Sequence, residues 1–299
     1  MKKANNSQAA LLGLQHLLAM YSGAVAVPLL IGTALGFNTE QMTYLVSIDI
    51  FMCGLATLLQ LMRNRYFGIG LPVVLGCAIQ AVEPLKMIGS QFTIQTMYGA
   101  IIVAGIFVCL VSGQFSKVKR LFPPVVTGTL ITVIGLTLIP IAVQNIGGGN
   151  ASAKDFGSLT NISLGFVTVI LILAIQVFAK GFLSSIAVLL GLVSGSLVAA
   201  ALGLVSLAPL HEAPWFHVPQ PFYFGVPHFE WSSSVTMIII ALVSMVESTG
   251  VYFALGDILN KKITEKDLKL GYRAEGMAVI LGGIFNTFPY TTFSQNVGL

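Results

Sequence analysis

The sequence predicts an all-α polytopic membrane protein with the inverted-repeat architecture of a transporter. Hydrophobic residues make up 56% of the 299-residue chain, charged residues make up 9%, and the mean hydropathy is +0.89. Apolar runs long enough to cross a bilayer, which takes about 20 residues, recur along the whole chain. Two runs are interrupted by proline, at corresponding places in two halves of the chain. These observations exclude a water-soluble globular domain and favour a transporter built from two related halves.

Nine apolar segments and the beginning of a tenth can be placed on the sequence. Lys2 and Lys3 precede the first segment, which is too long for a signal-peptide core and is interpreted as a retained span. We expect the segments at about 10–35, 42–62, 70–89, 96–113, 125–146, 162–179, 182–205, 233–255, 271–288 and from Pro289 onward.

The loop charges predict a cytoplasmic amino terminus. With that orientation, the inside loops hold thirteen lysine and arginine residues and the outside loops hold two, Lys86 and Lys154. This asymmetry follows the positive-inside rule for membrane proteins. It also accounts for the basic pI, so the lipid bilayer is an expected partner and nucleic acid is not.

The chain shows no pattern typical of a metal site or an enzyme. Cys53, Cys77 and Cys109 lie in apolar segments without paired spacing, which indicates neither a metal site nor a disulfide framework. The sequence contains no HExxH, GxSxG or Walker-type phosphate motif. An intramembrane enzyme is therefore a disfavoured alternative.

Residues 70–84 and 288–298 do not read as ordinary spanning helices. Each carries a proline near its start, Pro72 or Pro289, and β-branched residues soon after it. Aligned on these prolines, the two segments lie 217 residues apart. Corresponding interrupted segments indicate a midplane binding site in an inverted-repeat transporter, and this offset predicts a complete protein of roughly 420 residues.

Ionisable groups at membrane depth cost about 2.5–3.5 kcal/mol each on insertion scales, so each calls for an explanation. Glu247 lies mid-span with no basic residue nearby in sequence, which makes it a candidate ligand or proton carrier. His16 is either a packing histidine or a site residue. Glu275 is either functional or the partner of Arg273 in an interfacial ion pair. Asp49 is predicted to be a helix-packing acid paired with a backbone or hydroxyl group.

The last residues of the chain offer hydrogen-bonding groups where lipid is expected. Gln295 and Asn296 carry amide donors and acceptors suited to a flat heterocycle, and Phe293 could stack on its ring. The alternative is a polar loop at the membrane surface.

Several long stretches resemble the nucleobase–ascorbate transporter family, also called nucleobase:cation symporter 2, and in particular its bacterial xanthine permeases. The family signature begins Gln/Glu-Asn-x-Gly and is matched from Gln295 to Gly298, with its remainder expected beyond Leu299. The matching stretches occur in the family's order and are QHLLAMYSGAVAVPLLIG, YLVSIDIFMCGLATLLQ, GIGLPVVLGC, FPPVVTG, SMVESTGVYFALGD, YRAEG and FNTFPYTTFSQNVGL.

The resemblance implies fourteen transmembrane segments in two inverted repeats of seven, of which this chain holds about nine and a half. Segments 3 and 10 would each be half strand and half helix. Residues 1–113 and 233–299 would belong to a core domain and residues 114–232 to a gate domain. The complete protein would form a homodimer through the gate domain.

The resemblance also implies roles for individual residues. His16 matches a histidine that supports site architecture, and Glu275 matches an acid, usually Asp, implicated in proton coupling. Ile79 occupies a position where relatives often carry an aromatic that packs on the base. The implied substrate-binding residues are Glu247, Gln295, Asn296, Phe293, Ser294, Ile79 and Ala78.

The function implied is proton-coupled uptake of a purine nucleobase across the cytoplasmic membrane by alternating access, with no cofactor beyond the coupling proton. Gln rather than Glu at position 295 favours xanthine or urate, since uracil transporters typically carry Glu. One alternative is a uracil or other nucleobase symporter. Another is an anion transporter of the same fold, although the carboxylate of Glu247 would repel an anion.

Overall fold

The computed structural model describes residues 6–116, 124–149, 153–180, 182–205 and 218–297. Most of these residues are helical. The helices are α1 (Asn6–Ala34), α2 (Thr39–Leu61), α3 (Val82–Gln91), α4 (Ile94–Phe115), α5 (Pro124–Ile146), α6 (Leu159–Phe178), α7 (Phe182–Ser185), α8 (Ala187–Ala201), α9 (Trp231–Ile258) and α10 (Glu265–Ile284). The strands are β1 (Leu75–Cys77) and β2 (Tyr290–Thr292), followed by the short 3-10 helices Ile79–Ala81 and Ser294–Asn296.

The helices lie where the apolar segments were predicted. Within the described ranges, α1, α2, α4, α6 and α9 are long and apolar enough to cross a membrane. The segment predicted at 182–205 is divided between α7 and α8. The count of fourteen segments and the 7+7 arrangement stay predictions.

Helix α10 begins at Glu265, well before the predicted start at 271. A capping box explains the difference: the Thr264 side chain accepts a hydrogen bond from the Asp267 backbone, and the Asp267 side chain accepts one from Thr264. Because the first turns are polar, hydropathy could not detect them. Glu275 therefore lies in the middle of its helix rather than near its start.

The chain forms two compact units. The first comprises residues 1–22 and 128–215 with residue 299, and the second comprises residues 23–127 and 216–298. In the first unit α6 packs on α8, where Gly191 and Gly195 face Ile172 and Thr168. The division into core and gate domains stays a prediction.

In the second unit, α4 and α10 pack closely through glycines. A β-carbon placed on Gly105 would lie 2.8 Å from the carbonyl oxygen of Gly276, and one on Gly276 would lie 2.9 Å from the carbonyl oxygen of Gly105. Lipid tails are as apolar as leucine, so helices in a membrane associate through close packing at small residues. These glycines therefore set the distance between the two helices.

The two interrupted segments meet as an antiparallel pair of strands. Leu75 lies opposite Thr292, Gly76 opposite Thr291 and Cys77 opposite Tyr290. Further hydrogen bonds run from Ala78 N to Pro289 O (2.8 Å) and from Phe293 N to Val74 O (2.9 Å). The prediction of short strands in segments 3 and 10 is confirmed.

The loop before α9 fixes the turn that leads into β2. Tyr98 donates its hydroxyl to Asn286 O at 3.1 Å, and the Phe224 backbone donates to Asn286 Oδ1 at 3.2 Å. Tyr223 stacks on Tyr44 of α2 with ring centroids 3.9 Å apart. This loop thereby holds residues 285–289 against α2 and α4.

Helix α9 begins at Trp231 because Glu230 caps it. The Glu230 carboxylate accepts hydrogen bonds from the backbone N–H groups of Ser233 and Ser232, and these bonds lower the pKa of Glu230 below its ordinary value of 4.5. The stabilisation of α9 by this cap is fully present above pH 4.5 and is lost as the pH falls through the lowered pKa.

We expect Gly105→Ala to lower the melting temperature of the detergent-solubilised protein, because the added methyl group meets backbone atoms of α10 that side-chain rotation cannot move. The cost expected for such overpacking is about 1–3 kcal/mol. Gly54→Ala in α2 is the matched control, since a β-carbon there has no neighbour within 4 Å. Equal melting temperatures for the two variants would contradict the close α4–α10 contact.

Candidate functional site

Glu247 lies at the centre of a polar cluster in the second unit. Its half-buried carboxyl group accepts a hydrogen bond from Gln80, whose Nε2 is 3.0 Å from Glu247 Oε2. The same Nε2 is 2.9 Å from Ser244 Oγ, one turn earlier in α9. The Thr291 side chain of β2 also contacts the carboxyl group. Glu247 is therefore held by both interrupted segments.

Glu275 lies behind this cluster and is 2% exposed. It accepts a hydrogen bond from the Tyr252 hydroxyl and contacts the side chain of Ser248. Ser248 Oγ is in turn 3.3 Å from Thr291 Oγ1. Hydroxyl groups thus connect the carboxyl groups of Glu275 and Glu247.

The alternative of an ion pair between Glu275 and Arg273 is wrong. In the described parts of the chain, the ion pairs are Arg63–Asp267 at 2.5 Å and Lys86–Glu83 at 2.8 Å. Arg273 lies two residues before Glu275, and residues two apart in a helix do not face each other.

Phe293 packs closely against two glycines, Gly76 and Gly23. It is 6% exposed, and a β-carbon on Gly76 would lie within 2.8 Å of three atoms of its ring. A β-carbon on Gly23 of α1 would lie 2.9 Å from the same ring. Glycine at both positions lets the ring pack between α1 and β1.

The remaining predicted residues are placed as follows. Ala78 and Asn296 are buried, Ile79 is half-buried and Ser294 is exposed, all next to the strands. Gln295 lies in the second 3-10 helix, and its side chain falls outside the described residues. His16 is half-buried on α1 and belongs to the first unit.

Gln80, Ser244 and Thr291 are residues around Glu247 that sequence reasoning missed, and Gln80 is the one for which the sequence held a signal. The strands β1 and β2 begin at residues 75 and 290, and the 3-10 helices that follow begin at residues 79 and 294, so both pairs of elements are 215 residues apart. The proline-based offset of 217 is therefore wrong by two residues. With an offset of 215, Gln80 corresponds to Gln295. This correspondence is the sequence signal that could have identified Gln80 as a site residue.

A second buried cluster surrounds Asp49, which is fully buried on α2. Cys77 Sγ is 2.9 Å from both of its carboxyl oxygens, the Tyr290 hydroxyl donates to it at 3.2 Å, and Cys53 Sγ is 3.8 Å away. The predicted pairing of Asp49 with a backbone or hydroxyl group is confirmed by the Tyr290 hydroxyl, although the nearer partner is the Cys77 thiol. The cluster joins α2 to both strands.

The Asp49 cluster carries three potential metal-ligating side chains, whose ligand atoms lie within 4.8 Å of one another. The sequence spacing did not indicate this grouping. Sulfur and oxygen ligands of one tetrahedral zinc ion are separated by roughly 3.5 Å, given Zn–S near 2.3 Å and Zn–O near 2.0–2.2 Å. The distance from Cys77 Sγ to the Asp49 oxygens, 2.9 Å, is shorter than that and fits a thiol hydrogen-bonded to a carboxyl group. We therefore interpret the cluster as a hydrogen-bonded structural cluster rather than a metal site.

The comparisons with known proteins agree with this architecture. Residues 7–299 match the model of a permease family, Xan_ur_permease. The chain is 58% identical to the uric acid permease PucK of Bacillus subtilis (strain 168), covering 100% of this chain and 70% of that protein. It is 56% identical to the xanthine permease of the same organism, covering 96% of this chain and 66% of that protein. It is 42% identical to the uric acid transporter UacT of Escherichia coli (strain K12), covering 97% of this chain and 60% of that protein.

A solved structure shares the fold. The transmembrane domain of a cyanobacterium bicarbonate transporter, BicA, matches 95% of this chain with a TM-score of 0.64 and 12% sequence identity, over 76% of the BicA chain. At this identity the likeness concerns the fold alone.

The fold and the relatives define a multi-pass membrane transporter, and the prediction that the protein is not an enzyme is confirmed. The chain belongs to the permease family matched above, the nucleobase–ascorbate transporter family, as its motifs predicted.

We expect Cys77→Ala to lower the melting temperature more than Cys77→Ser, because serine keeps a hydrogen-bond donor beside Asp49. An unsatisfied buried polar group costs about 1–3 kcal/mol. Cys109→Ala is the control, since the hydrogen bond of its sulfur, to Arg273 O, is 3.7 Å long and involves no carboxyl group. A lower melting temperature after treatment with a metal chelator would contradict the hydrogen-bonded interpretation of the cluster.

Proposed function

We propose that the protein takes up a purine nucleobase, xanthine or urate, across the cytoplasmic membrane, coupled to the inward movement of a proton. The observation that carries the proposal is the Glu247 carboxyl group, held by Gln80 beside the paired strands at membrane depth. Relatives that share more than half of their aligned residues with this chain are named uric acid permease and xanthine permease. Their names support the substrate class.

The proposed site suits the hydrogen-bonding edge of an oxopurine. Such a ring carries N–H donors and carbonyl acceptors in one plane. A carboxylate has about four acceptor positions, so Glu247 keeps capacity for ring N–H groups after its contact with Gln80. The amides of Gln80, Gln295 and Asn296 supply both donors and acceptors, and Phe293 supplies an aromatic face. Ala78, Ile79 and Ser294 complete the proposed binding segments.

An anion carrier of the same fold is the second candidate, because the fold shared with a bicarbonate transporter does not by itself distinguish the two substrates. The chemistry of the site favours a nucleobase instead, because the Glu247 carboxyl group beside the Gln80 amide can pair with the N–H and C=O groups along the edge of a planar ring. Competition of labelled xanthine uptake by unlabelled urate, uracil and bicarbonate separates these candidates.

Proton coupling is proposed for the buried Glu275 and the half-buried Glu247, which are connected through hydroxyl groups. A carboxyl group that is protonated before substrate binds and releases the proton on the inside would bias alternating access toward uptake. In this proposal the amino terminus is cytoplasmic and His16 supports the architecture of the site. The complete protein acts as a homodimer.

We expect Glu247→Gln to weaken xanthine binding about 10- to 100-fold and Gln80→Ala to weaken it about 10-fold, since hydrogen bonds to a charged group contribute about 1.5–3 kcal/mol. The measurement is calorimetric titration of the purified protein, expressed from its complete reading frame. Glu83→Gln is the matched control, because Glu83 is an exposed carboxylate paired with Lys86. Unchanged affinity in Glu247→Gln would rule out the proposed site.

We expect uptake of labelled xanthine or urate into energised cells to fall to the level of passive entry after addition of a protonophore. The physical reason is that the proton gradient drives accumulation when carboxyl protonation accompanies each transport cycle. Accumulation against a concentration gradient that persists under a protonophore would refute the coupling while leaving the substrate assignment intact.

A further inference from the structure

A chain of buried side chains continues from Glu275 away from the Glu247 site. The Tyr252 hydroxyl of α9 donates to Glu275 Oε1. Gln60, near the end of α2, donates from Nε2 to the Tyr252 hydroxyl at 2.5 Å. Gln60, Tyr252 and Glu275 are each between 0 and 2% exposed. The proposed binding site does not include Gln60 or Tyr252.

The orientation of the Gln60 amide is determined by two backbone groups whose polarity is fixed. Gln60 Oε1 accepts from the backbone N–H of Ile69 at 3.2 Å, and Nε2 donates to the backbone carbonyl of Gly271 at 3.0 Å. If the amide oxygen and nitrogen were exchanged, the oxygen would face the Gly271 carbonyl oxygen and the nitrogen would face the Ile69 N–H group, and neither contact could form a hydrogen bond. The second amide hydrogen therefore points at the Tyr252 oxygen.

This orientation fixes the direction of the next hydrogen bond. A phenol has one hydrogen to donate. Because Gln60 already donates to the Tyr252 oxygen, the hydroxyl hydrogen of Tyr252 is directed at Glu275. A donor held in that direction favours the carboxylate form of Glu275 over the protonated form. Ser248, on the other side of Glu275, has a hydroxyl group that can rotate to donate or accept, so it fits either form.

The surroundings of Glu275 otherwise offer few polar contacts. A cavity of about 10 Å³ beside it is lined by Ala104 and Val108 of α4 and by Ser244 of α9. Among the described residues, the titratable side chains around Glu275 are Glu247 and Tyr252 from α9, Tyr272 on α10 and Tyr290 from β2, which lines the same cavity.

We propose that Gln60 and Tyr252 are positioning residues that promote release of the transported proton from Glu275. The inference rests on the proposed proton-coupled uptake. Gln60 holds Tyr252 as a donor, and Tyr252 stabilises the carboxylate that remains after the proton leaves. Since Gln60 is near the end of α2 that leads to Arg63 and Arg65, the pair lies on the side of Glu275 predicted to face the cytoplasm.

The test is the pH profile of labelled xanthine uptake by Tyr252→Phe, in protein expressed from its complete reading frame. Without the Tyr252 hydroxyl, Glu275 holds its proton at higher pH. The alkaline limb of the pH profile is therefore expected to move to higher pH by roughly one unit. The maximal rate falls because proton release slows, whereas the KM at acidic pH changes less than about twofold, because the binding residues are intact.

Tyr272→Phe is the matched control. It removes a buried phenol hydroxyl from the same helix as Glu275, but that hydroxyl is hydrogen-bonded to Thr249 at 2.5 Å. Its pH profile is expected to match the wild type. Gln60→Met should move the alkaline limb in the same direction as Tyr252→Phe, and the double variant should move it no further, since the two residues act through one hydrogen bond.

The outcomes separate this inference from the proposed function. Wild-type uptake that is independent of pH and of the proton gradient overturns the coupling and this inference together. Proton-dependent wild-type uptake with an unchanged profile in Tyr252→Phe overturns this inference alone. Equal shifts in Tyr252→Phe and Tyr272→Phe also overturn it, because they would report a general effect of losing a buried hydroxyl. If Gln60→Met does not fold, the two tyrosine variants decide the question.

Discussion

The pairing of β1 with β2 is the constraint on which the second unit depends. Inside a bilayer every backbone N–H and C=O group needs a partner within the protein, and an extended segment cannot supply its own. Two extended segments solve this problem by bonding to each other, and the Leu75 N–H, which points away from β2, donates instead to Thr57 Oγ1 at 3.0 Å. Extended backbone in one half of the chain therefore requires extended backbone in the other.

The same strand pairing brings the polar side chains around Glu247 together. It places Gln80 beyond the end of β1 and Thr291 within β2, so that two segments far apart in sequence both reach Glu247. On α2, Asp49 bonds to Cys77 and Tyr290, which are themselves opposite one another in the strands. The glycine contacts of α4 with α10 hold Glu275 close behind this cluster. A site for a flat, polar ligand thus rests on backbone geometry that is fixed before any ligand binds.

Much of this architecture could be predicted from the sequence, because hydropathy and loop charge report directly on membrane spans. The interrupted segments and Glu247 were visible as polar groups and prolines inside apolar runs. Gln80 could not be recognised in the same way. Aligning the prolines gave an offset two residues too long, because the prolines mark only the beginnings of the segments. The start of α10 was missed because its capping box lies in a polar stretch. The Asp49 cluster and the Gln60–Tyr252 contact join residues up to 241 positions apart, and no local pattern encodes such contacts.

The central claim is that the paired strands present Glu247 and Gln80 to a purine nucleobase. A structure of the protein determined with bound xanthine, at a resolution that shows the orientation of the ring, tests this claim most directly. The account predicts the ring beside the ends of β1 and β2, with the Glu247 carboxylate within about 3 Å of a ring N–H group. Xanthine bound elsewhere, or bound beside the strands without contact to Glu247, would contradict it.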